Sequence, residues 1–574
     1  MTVTDPNNRR KRILIVGGVA GGMSCATRLR RLDERAQITV LESGPYISYA
    51  NCGIPYALSG IIPSEDKLHL QTPEKAKAWF NVDVLTDTKL LRIDRRAKQV
   101  TVLLLRDGRE EKLGYDKLVL SLGAEPLLPP DIEGLLKGAE NNVFTLTTIP
   151  DLRGILGHVR RKGAKSAVVV GGAFIGLEAA ENLKEMMGGI MEEVTVVERL
   201  PHVFPLADAD MTYPIEKEMR SHGVRVLTNT SAKRIGEGKV YLDSGEEVSA
   251  DLVIVAAGVR ARMGVAKEAG LDCGPTGVSV NEYMQTSDPD VYAVGDMVET
   301  ENRVLGKKVQ LALAGPANRQ GRLAADHICG KMTKYRGNVG TSVCKVFGKA
   351  IGMVGLGEAM LERYGIRNEC VTVHPVNHAG YYPGSSRLTV KVRFDPETGR
   401  LLGGQCVGGD AAGVDKQTSV LAVAMMADMT VEDLEHLELA YAPPFGAAKD
   451  AVNMAGFVAG NVLRGDVEIV HAADFAAGRH KLEDFQVLDV RSPGEFSGGH
   501  INGAINIPIG ELRKRLGELD KSGKKVLVYC QIGYRGYLGY RILKQEGFEV
   551  VNLDGGYRSV VEGGFDENLN SVRL

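Results

Sequence analysis

Two glycine clusters and eight scattered cysteines are the residues of this chain best suited to chemistry. Gly17-Gly18-Val19-Ala20-Gly21-Gly22 follows the apolar run Ile13 to Val16, and Gly171-Gly172-Ala173-Phe174-Ile175-Gly176 follows Ala167 to Val170. A turn of this kind lets the backbone approach a pyrophosphate and present N–H groups at a helix N-terminus. The next apolar run ends in an acid each time, Glu42 twenty residues after Gly22 and Glu198 twenty-two after Gly176. At that spacing a carboxylate accepts hydrogen bonds from a ribose. Both turns lack the middle glycine, which is Val19 in one and Ala173 in the other. Glu198 predicts an unphosphorylated ribose, hence NADH; Arg199 beside it keeps NADPH open. The cysteines (25, 52, 273, 329, 344, 370, 406 and 530) include no Cys-x-x-Cys pair, which predicts neither a disulfide scaffold nor a metal site.

The elements that position these residues follow from apolar spacing. The first turn opens a helix with Met23, Ala26 and Leu29 on one face and Arg28, Arg30 and Arg31 as a basic face; Ile38 to Leu41 is the next strand. This strand–turn–helix–strand unit recurs about 150 residues later, with a helix from near Leu177 and a strand Val194 to Val197. Leu252 to Ala256 and Val291 to Asp296 are further short strands, leading into Gly258 and ending at Gly295-Asp296. From about 340 the pattern changes. Ser342 to Val346, Leu388 to Phe394 and Leu401 to Val407 read as strands before a helix-rich end. Arg464-Gly465-Asp466 reads as a linker. Beyond it Val487 to Val490, Val526 to Tyr529 and Val550 to Leu553 are strands of a small α/β pattern, long enough for an independent domain.

Composition bounds the function. Seventy basic and 72 acidic residues give a net charge of −2, which offers no case for nucleic-acid binding or a polybasic membrane patch. No apolar run is long enough to span a bilayer. The polar, then basic N-terminus lacks the apolar core and cleavage site of a signal peptide. A cytoplasmic protein with reduced thiols is expected. Glycine, 69 of 574 residues, exceeds the usual ~7%, so the backbone needs it somewhere.

The two units, Ser121-Leu122-Gly123-Ala124, and Thr286 to Asp296 together resemble the two-dinucleotide-fold flavoprotein disulfide reductases. The resemblance implies FAD on the first unit, a nicotinamide nucleotide on the second, and a discontinuous FAD domain. It implies cofactor contacts at Gly17, Val19, Ala20, Gly21, Gly22, Glu42, Ser43, Asn51, Gly123, Gly171, Gly172, Phe174, Ile175, Gly176, Glu198, Gly258, Gly295, Asp296, Ala314 and Phe445. Ser48-Tyr49-Ala50-Asn51-Cys52-Gly53-Ile54-Pro55-Tyr56 carries one cysteine where most of these reductases carry a pair. It resembles the single-cysteine branch, the CoA-disulfide reductases and NADH-dependent persulfide reductases. On that likeness Cys52 attacks a substrate S–S bond, a thiol leaves, and reduced flavin restores the thiolate. Tyr381, in His378 to Gly384, and Tyr441, in Tyr441 to Phe445, match a proton donor supplied by the partner of a homodimer. Ser24, Arg28, Arg31, Ser48, Asn51 and Lys449 match positions that line a coenzyme A site. Phe80 stands near where some relatives have a lysine, so other thiol carriers stay open. The other cysteines, Cys530 apart, are expected to be structural thiols.

Asp489-Val490-Arg491-Ser492-Pro493-Gly494-Glu495-Phe496, Gly499 to Pro508, and Cys530-Gln531-Ile532-Gly533-Tyr534-Arg535 resemble the rhodanese family. Loop N–H groups, a helix N-terminus and Arg535 would all favour a Cys530 thiolate that accepts sulfane sulfur. The six-residue loop suits sulfur better than phosphate, and His500 is expected only to cap or pack. The expected fold is α/β: two dinucleotide-binding (Rossmann-like) domains (1–150 with 266–338, and 151–265), an α+β dimerisation domain (339–464) and a C-terminal α/β rhodanese domain (470–574). The expected function is NAD(P)H-driven reduction of thiol persulfides, polysulfides, or CoA persulfide or disulfide. An NADH oxidase or peroxidase, and a sulfur-trafficking or sensing protein, are the alternatives.

Overall fold

The computed structural model describes residues 10–135, 142–186, 189–236, 238–521, 523–567, 569 and 571–572; the polar stretch before Arg10 lies outside them. The chain forms two compact units, one of residues 1–197 and 231–338, the other of 198–230 and 339–574.

In the first unit the apolar run Ile13 to Val16 is buried because its strand, Arg12–Val16, is the centre of a parallel sheet. The sheet order is Val291–Ala293, Lys117–Leu120, Arg12–Val16, Gln37–Leu41, Asp83–Leu85. A strand with helices over both faces has no polar side to show, so it reads as continuously apolar. Val291–Ala293 rejoins this sheet after the second nucleotide-type unit has been built. It stops short of the predicted Asp296, because Gly295 turns at φ +79° into a short 3-10 segment, Gly295–Met297. The second unit's strands run Glu193–Val197, Ser166–Val170, Leu252–Val255, Val143–Phe144, also parallel.

Both nucleotide-type turns use glycine for the same two reasons. Gly17 and Gly171 take φ of +106° and +108°, where a Cβ is strained. One helical turn on, a Cβ at Gly22 would lie 1.8 Å from the Gly17 carbonyl oxygen, and one at Gly176 would lie 1.9 Å from that of Gly171. Each helix thus starts against its own turn. The second helix starts at Phe174, three residues before the expected point, since Ala173 already serves as its N-cap.

The other unit carries a five-stranded antiparallel sheet in the order Ser342–Val346, Lys349–Gly355, Leu401–Gly409, Leu388–Phe394, Glu369–Val373. Lys349–Gly355 and Glu369–Val373 are strands the apolar spacing missed. A separate parallel sheet follows: Ile469–Val470, Val550–Leu553, Lys525–Tyr529, Phe485–Asp489, Ile505–Asn506. Helix Tyr534–Gln545 packs on its central strands. No helix among the described residues is long and apolar enough to cross a membrane.

Gly22→Ala is expected to destabilise the first unit by about 1–3 kcal/mol, the usual range for overpacking. Thermal unfolding checks it, with Gly264→Ala as control because a Cβ there meets nothing within 4 Å. Equal melting temperatures for the two variants would contradict the close-approach argument.

Candidate active site

Several helices begin without help from their own side chains, among them the two at the glycine turns. Helix Ala20–Leu32 starts at Val19, Phe174–Lys184 at Ala173 and Ala314–Ile328 at Leu313; none has a side-chain cap or an acid in its first turn. Other helices do cap, as Thr148 and Asp151 do in a complete capping box on Ile149–Lys162, although Ile54–Ser59, Gly264–Glu268, Tyr534–Gln545 and Gly556–Glu562 do not. The positive ends of the three helices carry no acid of their own and favour an anionic ligand. Beside the first turn, Glu42 accepts from Gly18 N–H at 2.7 Å, Gly44 N–H at 2.7 Å and Ser43 Oγ at 3.3 Å, which fixes its carboxylate next to the helix start. Glu198 accepts from Leu200 N–H at 2.8 Å. The carbonyls of Gly123 and Gly258 accept from Arg262 and Leu127, and Gly295 N–H donates to Gln320 Oε1 at 2.8 Å. Asp296 is half-buried, and burial pushes its carboxyl up to about 6. A group with hydroxyls and phosphates fits this set: it would meet positive helix ends, a fixed acid at Glu42 and a desolvated acid at Asp296.

The expected basic face of the first helix divides. Arg30 is buried and donates to the carbonyls of Phe80, Asp33, Glu34, Ala36 and Asn81; it is a structural clamp. Arg28 pairs with Asp326 at 2.7 Å, Arg31 is exposed, and Ser24 Oγ donates to Asn318 at 2.5 Å. Ser48, at φ +44°, donates its N–H to the Gly18 carbonyl, so the segment before Cys52 is tied to the glycine turn.

Cys52 lies on a short 3-10 turn, Asn51–Gly53, leading into helix Ile54–Ser59. Asn51 Oδ1 accepts from the Cys52 N–H at 3.1 Å and lies 3.7 Å from its sulfur. The helix is pinned to Phe174–Lys184 by Tyr56 Oη to Glu178 at 3.2 Å and Ser59 Oγ to Asn182 at 2.7 Å. Cys52 reaches solvent, yet the protein packed around it, with Glu178 and Asp296, pushes its thiol above the ordinary range. Burial raises Glu178 to about 7, against the opposing pull of the Tyr56 hydroxyl. Apolar spacing missed Glu178 and Tyr56. Tyr56 does stand four residues after Cys52, and Glu178 two after Gly176, within reach of the same helix ends.

In the other unit Tyr381 and Tyr441 join through their hydroxyls at 3.0 Å. They are 78% and 47% exposed, and Phe445 is 75% exposed; Lys449 is also exposed. Cys530 ends the strand Lys525–Tyr529 and is fully buried. Its carbonyl accepts from Tyr557 N–H at 2.8 Å, and that of Gln531 accepts from Arg558 N–H at 2.9 Å. Arg535 lies close enough to Cys530 to feel its charge, but it also forms a two-pronged pair with Glu495 at 2.8 and 2.6 Å. Its charge is shared, not devoted to the sulfur. Buried Arg491 bonds Asp489 at 2.7 Å, the Gly499 carbonyl and Gln531 Oε1, bracing the loop from below. His500 stacks on Phe496 at 3.9 Å, packing as expected. All eight cysteines are free; Cys25, Cys344, Cys370 and Cys406 are buried, whereas Cys273 and Cys329 are only partly so.

Removing a carboxylate beside a thiol favours the thiolate. Glu178→Gln is therefore expected to move the pH profile of Cys52 alkylation to lower pH, whereas Tyr56→Phe pushes Glu178 above about 7. Iodoacetamide labelling followed by peptide mass spectrometry reads both; an unchanged Cys52 profile in Glu178→Gln would refute the coupling.

Comparison with known proteins agrees with this layout. Residues 11–321 match the pyridine nucleotide-disulphide oxidoreductase model, 341–452 its dimerisation domain and 472–562 the rhodanese-like domain. The reduced Bacillus anthracis CoADR-RHD structure is 40% identical, with a TM-score of 0.93, covering 98% of this chain and 99% of that one. The NAD-dependent persulfide reductase structure from A. fulgidus is 37% identical, with a TM-score of 0.87, covering 96% of this chain and 99% of that one. The NAD(P)H coenzyme A polysulfide/persulfide reductase of Pyrococcus horikoshii is 35% identical over 77% of this chain and 97% of its own length. With a lone accessible cysteine between two uncapped nucleotide-type helices and these three matched segments, the chain belongs to the pyridine nucleotide-disulphide oxidoreductase family, carrying that family's dimerisation domain and a C-terminal rhodanese-like domain.

Proposed function

We propose that this chain uses NAD(P)H and FAD to reduce thiol persulfides, polysulfides, or CoA persulfide or disulfide at Cys52, and that Cys530 handles sulfane sulfur for the same reaction. The observation that carries the reading is Cys52: accessible, without a disulfide partner, and pinned through Tyr56 to the helix that opens at the second glycine turn. FAD, when bound at the first turn, supplies a two-electron relay between the nicotinamide and sulfur. The Cys52 thiolate attacks the outer sulfur of R–S–SH. The S–S bond breaks, RS⁻ leaves, and Cys52 becomes a persulfide. Two electrons arriving at Cys52 break that second S–S bond and release HS⁻. The balance is RSSH + NADH + H⁺ → RSH + H₂S + NAD⁺.

The chain's own charges favour the thiol form of Cys52, so the thiolate depends on groups added to this unit: the cofactor, and hydroxyl donors. Tyr381 and Tyr441 of the partner subunit are the donors in this reading. Their joined hydroxyls and the exposed Phe445 suit a homodimer face. On the first helix the exposed Arg31 is the better cation for a coenzyme A phosphate, since Arg28 is held by Asp326. The fusion to a rhodanese-like domain favours persulfide over plain disulfide, because a sulfur carrier adds nothing to disulfide reduction. Eight free thiols suit the reducing cytoplasm.

Steady-state assays with CoA persulfide and CoA disulfide test the substrate; equal or faster turnover of the disulfide would remove the persulfide preference. Cys52→Ser is expected to abolish reduction, and Cys530→Ser to spare it for small soluble substrates. Tyr441→Phe is expected to lower kcat by about 10²-fold, the lower end of what a positioned proton donor contributes. Fast NADH consumption in air, with a sulfenic acid on Cys52 and no anaerobic persulfide turnover, would favour an oxidase instead.

A further inference from the structure

One cluster of reactive side chains lies outside all of these sites. Glu369 and Cys370 open the strand Glu369–Val373, and His471 precedes the short helix Ala472–Ala476. One ligand atom from each lies within 4.8 Å of the others. His471 Nε2 is 2.9 Å from Glu369 Oε1 and 3.8 Å from Cys370 Sγ. Its other nitrogen, Nδ1, is 3.4 Å from Asp554 Oδ2. Asp554 is itself fixed, accepting the Thr372 N–H at 2.9 and 3.1 Å.

We propose that Glu369, Cys370 and His471 form a site for a zinc-type divalent ion, with Asp554 orienting the imidazole. The donor set is mixed thiolate, imidazole and carboxylate, which a borderline-soft ion such as Zn²⁺ prefers. Bond lengths of about 2.3 Å to sulfur and about 2.0 Å to nitrogen at a tetrahedral angle put those two atoms about 3.5 Å apart; Cys370 Sγ now lies 3.8 Å from Nε2 and 3.9 Å from Nδ1, so its side chain turns toward the Nε2 side to share the ion. Replacing the Glu369–His471 hydrogen bond by two bonds to one ion opens that pair by a few tenths of an ångström. A histidine bound through one nitrogen while the other donates to a carboxylate is the arrangement that fixes tautomer and ring orientation at metal sites.

Charge points the same way. The three residues line a cavity of about 290 Å³, with room for water as a further ligand. Lys391 and Arg393 line it too, but they are met by Asp208, Asp210 and Glu358 at 2.7–3.0 Å. Asp474 is answered by Arg479 at 2.8 Å. Glu369 and Asp554 converge on a single imidazole, His471, which is their cation when no ion is bound; a bound ion would take the place of the proton between Nε2 and Glu369. Cysteine spacing predicts no metal here, because Cys370 and His471 lie 101 residues apart and meet only in the fold. The site also borders the rhodanese-like loop: Asp554 leads into Gly555-Gly556-Tyr557, whose Tyr557 N–H donates to the Cys530 carbonyl.

The test uses metal-stripped, FAD-loaded, full-length protein titrated with cobalt(II), with zinc counted per chain in the protein as purified. The expected result is one ion per chain, a thiolate-to-cobalt band in the difference spectrum, and tetrahedral d–d absorption to the red of the flavin. Cys370→Ser removes the thiolate band. His471→Gln and Glu369→Gln each weaken cobalt binding by about tenfold or more, while Cys52→Ser and Cys530→Ser leave the spectrum unchanged. FAD content and circular dichroism check that each variant folds, and the unsubstituted protein's cobalt spectrum decides by itself if one does not. No band in that protein, a six-coordinate spectrum without sulfur, or a band lost on Cys52→Ser or Cys530→Ser in place of Cys370→Ser overturns the proposal.

Discussion

Two helices in this chain begin where a Cβ would collide with the carbonyl that ends the preceding strand. That contact, Gly22 on Gly17 and Gly176 on Gly171, brings each helix hard against its sheet. Neither helix has a side-chain cap or an acid in its first turn. Everything assigned to the nucleotide sites follows from this: the absence of caps, the lack of first-turn acids, and the acidic residue held at the neighbouring strand end. Glu42 illustrates the economy of the arrangement, since the carboxylate that would receive a ribose also holds the turn through Gly18 and Gly44.

Electrostatics around Cys52 run opposite to those expected of an isolated reactive thiol. No cation stands beside it in the contacts that shift its titration; two carboxylates and burial do. On the proposed function, the nucleophile is quiet until other groups arrive. This differs from the loop after Tyr529. There a guanidinium lies near the sulfur, but Glu495 takes part of its charge, and the thiol is enclosed. In both places reactivity depends on what enters the site as well as on the residues that build it.

The fold class was legible because buried parallel strands must be continuously apolar and the turns between them must be glycine. Ser342–Val346, Leu388–Phe394 and Val550–Leu553 fall where apolar spacing puts them. Lys349–Gly355 did not show, since its glycines and polar start break the pattern while pairing on both sides still makes it a strand. The basic face of the first helix was misread at Arg30. Charge in a sequence does not say whether carbonyls wait around it, and five do here.

Read alone, the sequence determined the two nucleotide turns, the single-cysteine motif and the C-terminal cysteine loop, because each is local: its chemistry needs particular residues within a few positions of one another. Only the tertiary structure decided which carboxylates surround Cys52, that Arg28 is held by Asp326, that Arg535 is shared with Glu495, and that Cys370 meets His471. Those depend on segments far apart in the chain being packed side by side. Charges and lone pairs act through a few ångströms of space, and a linear order of residues carries no such distances.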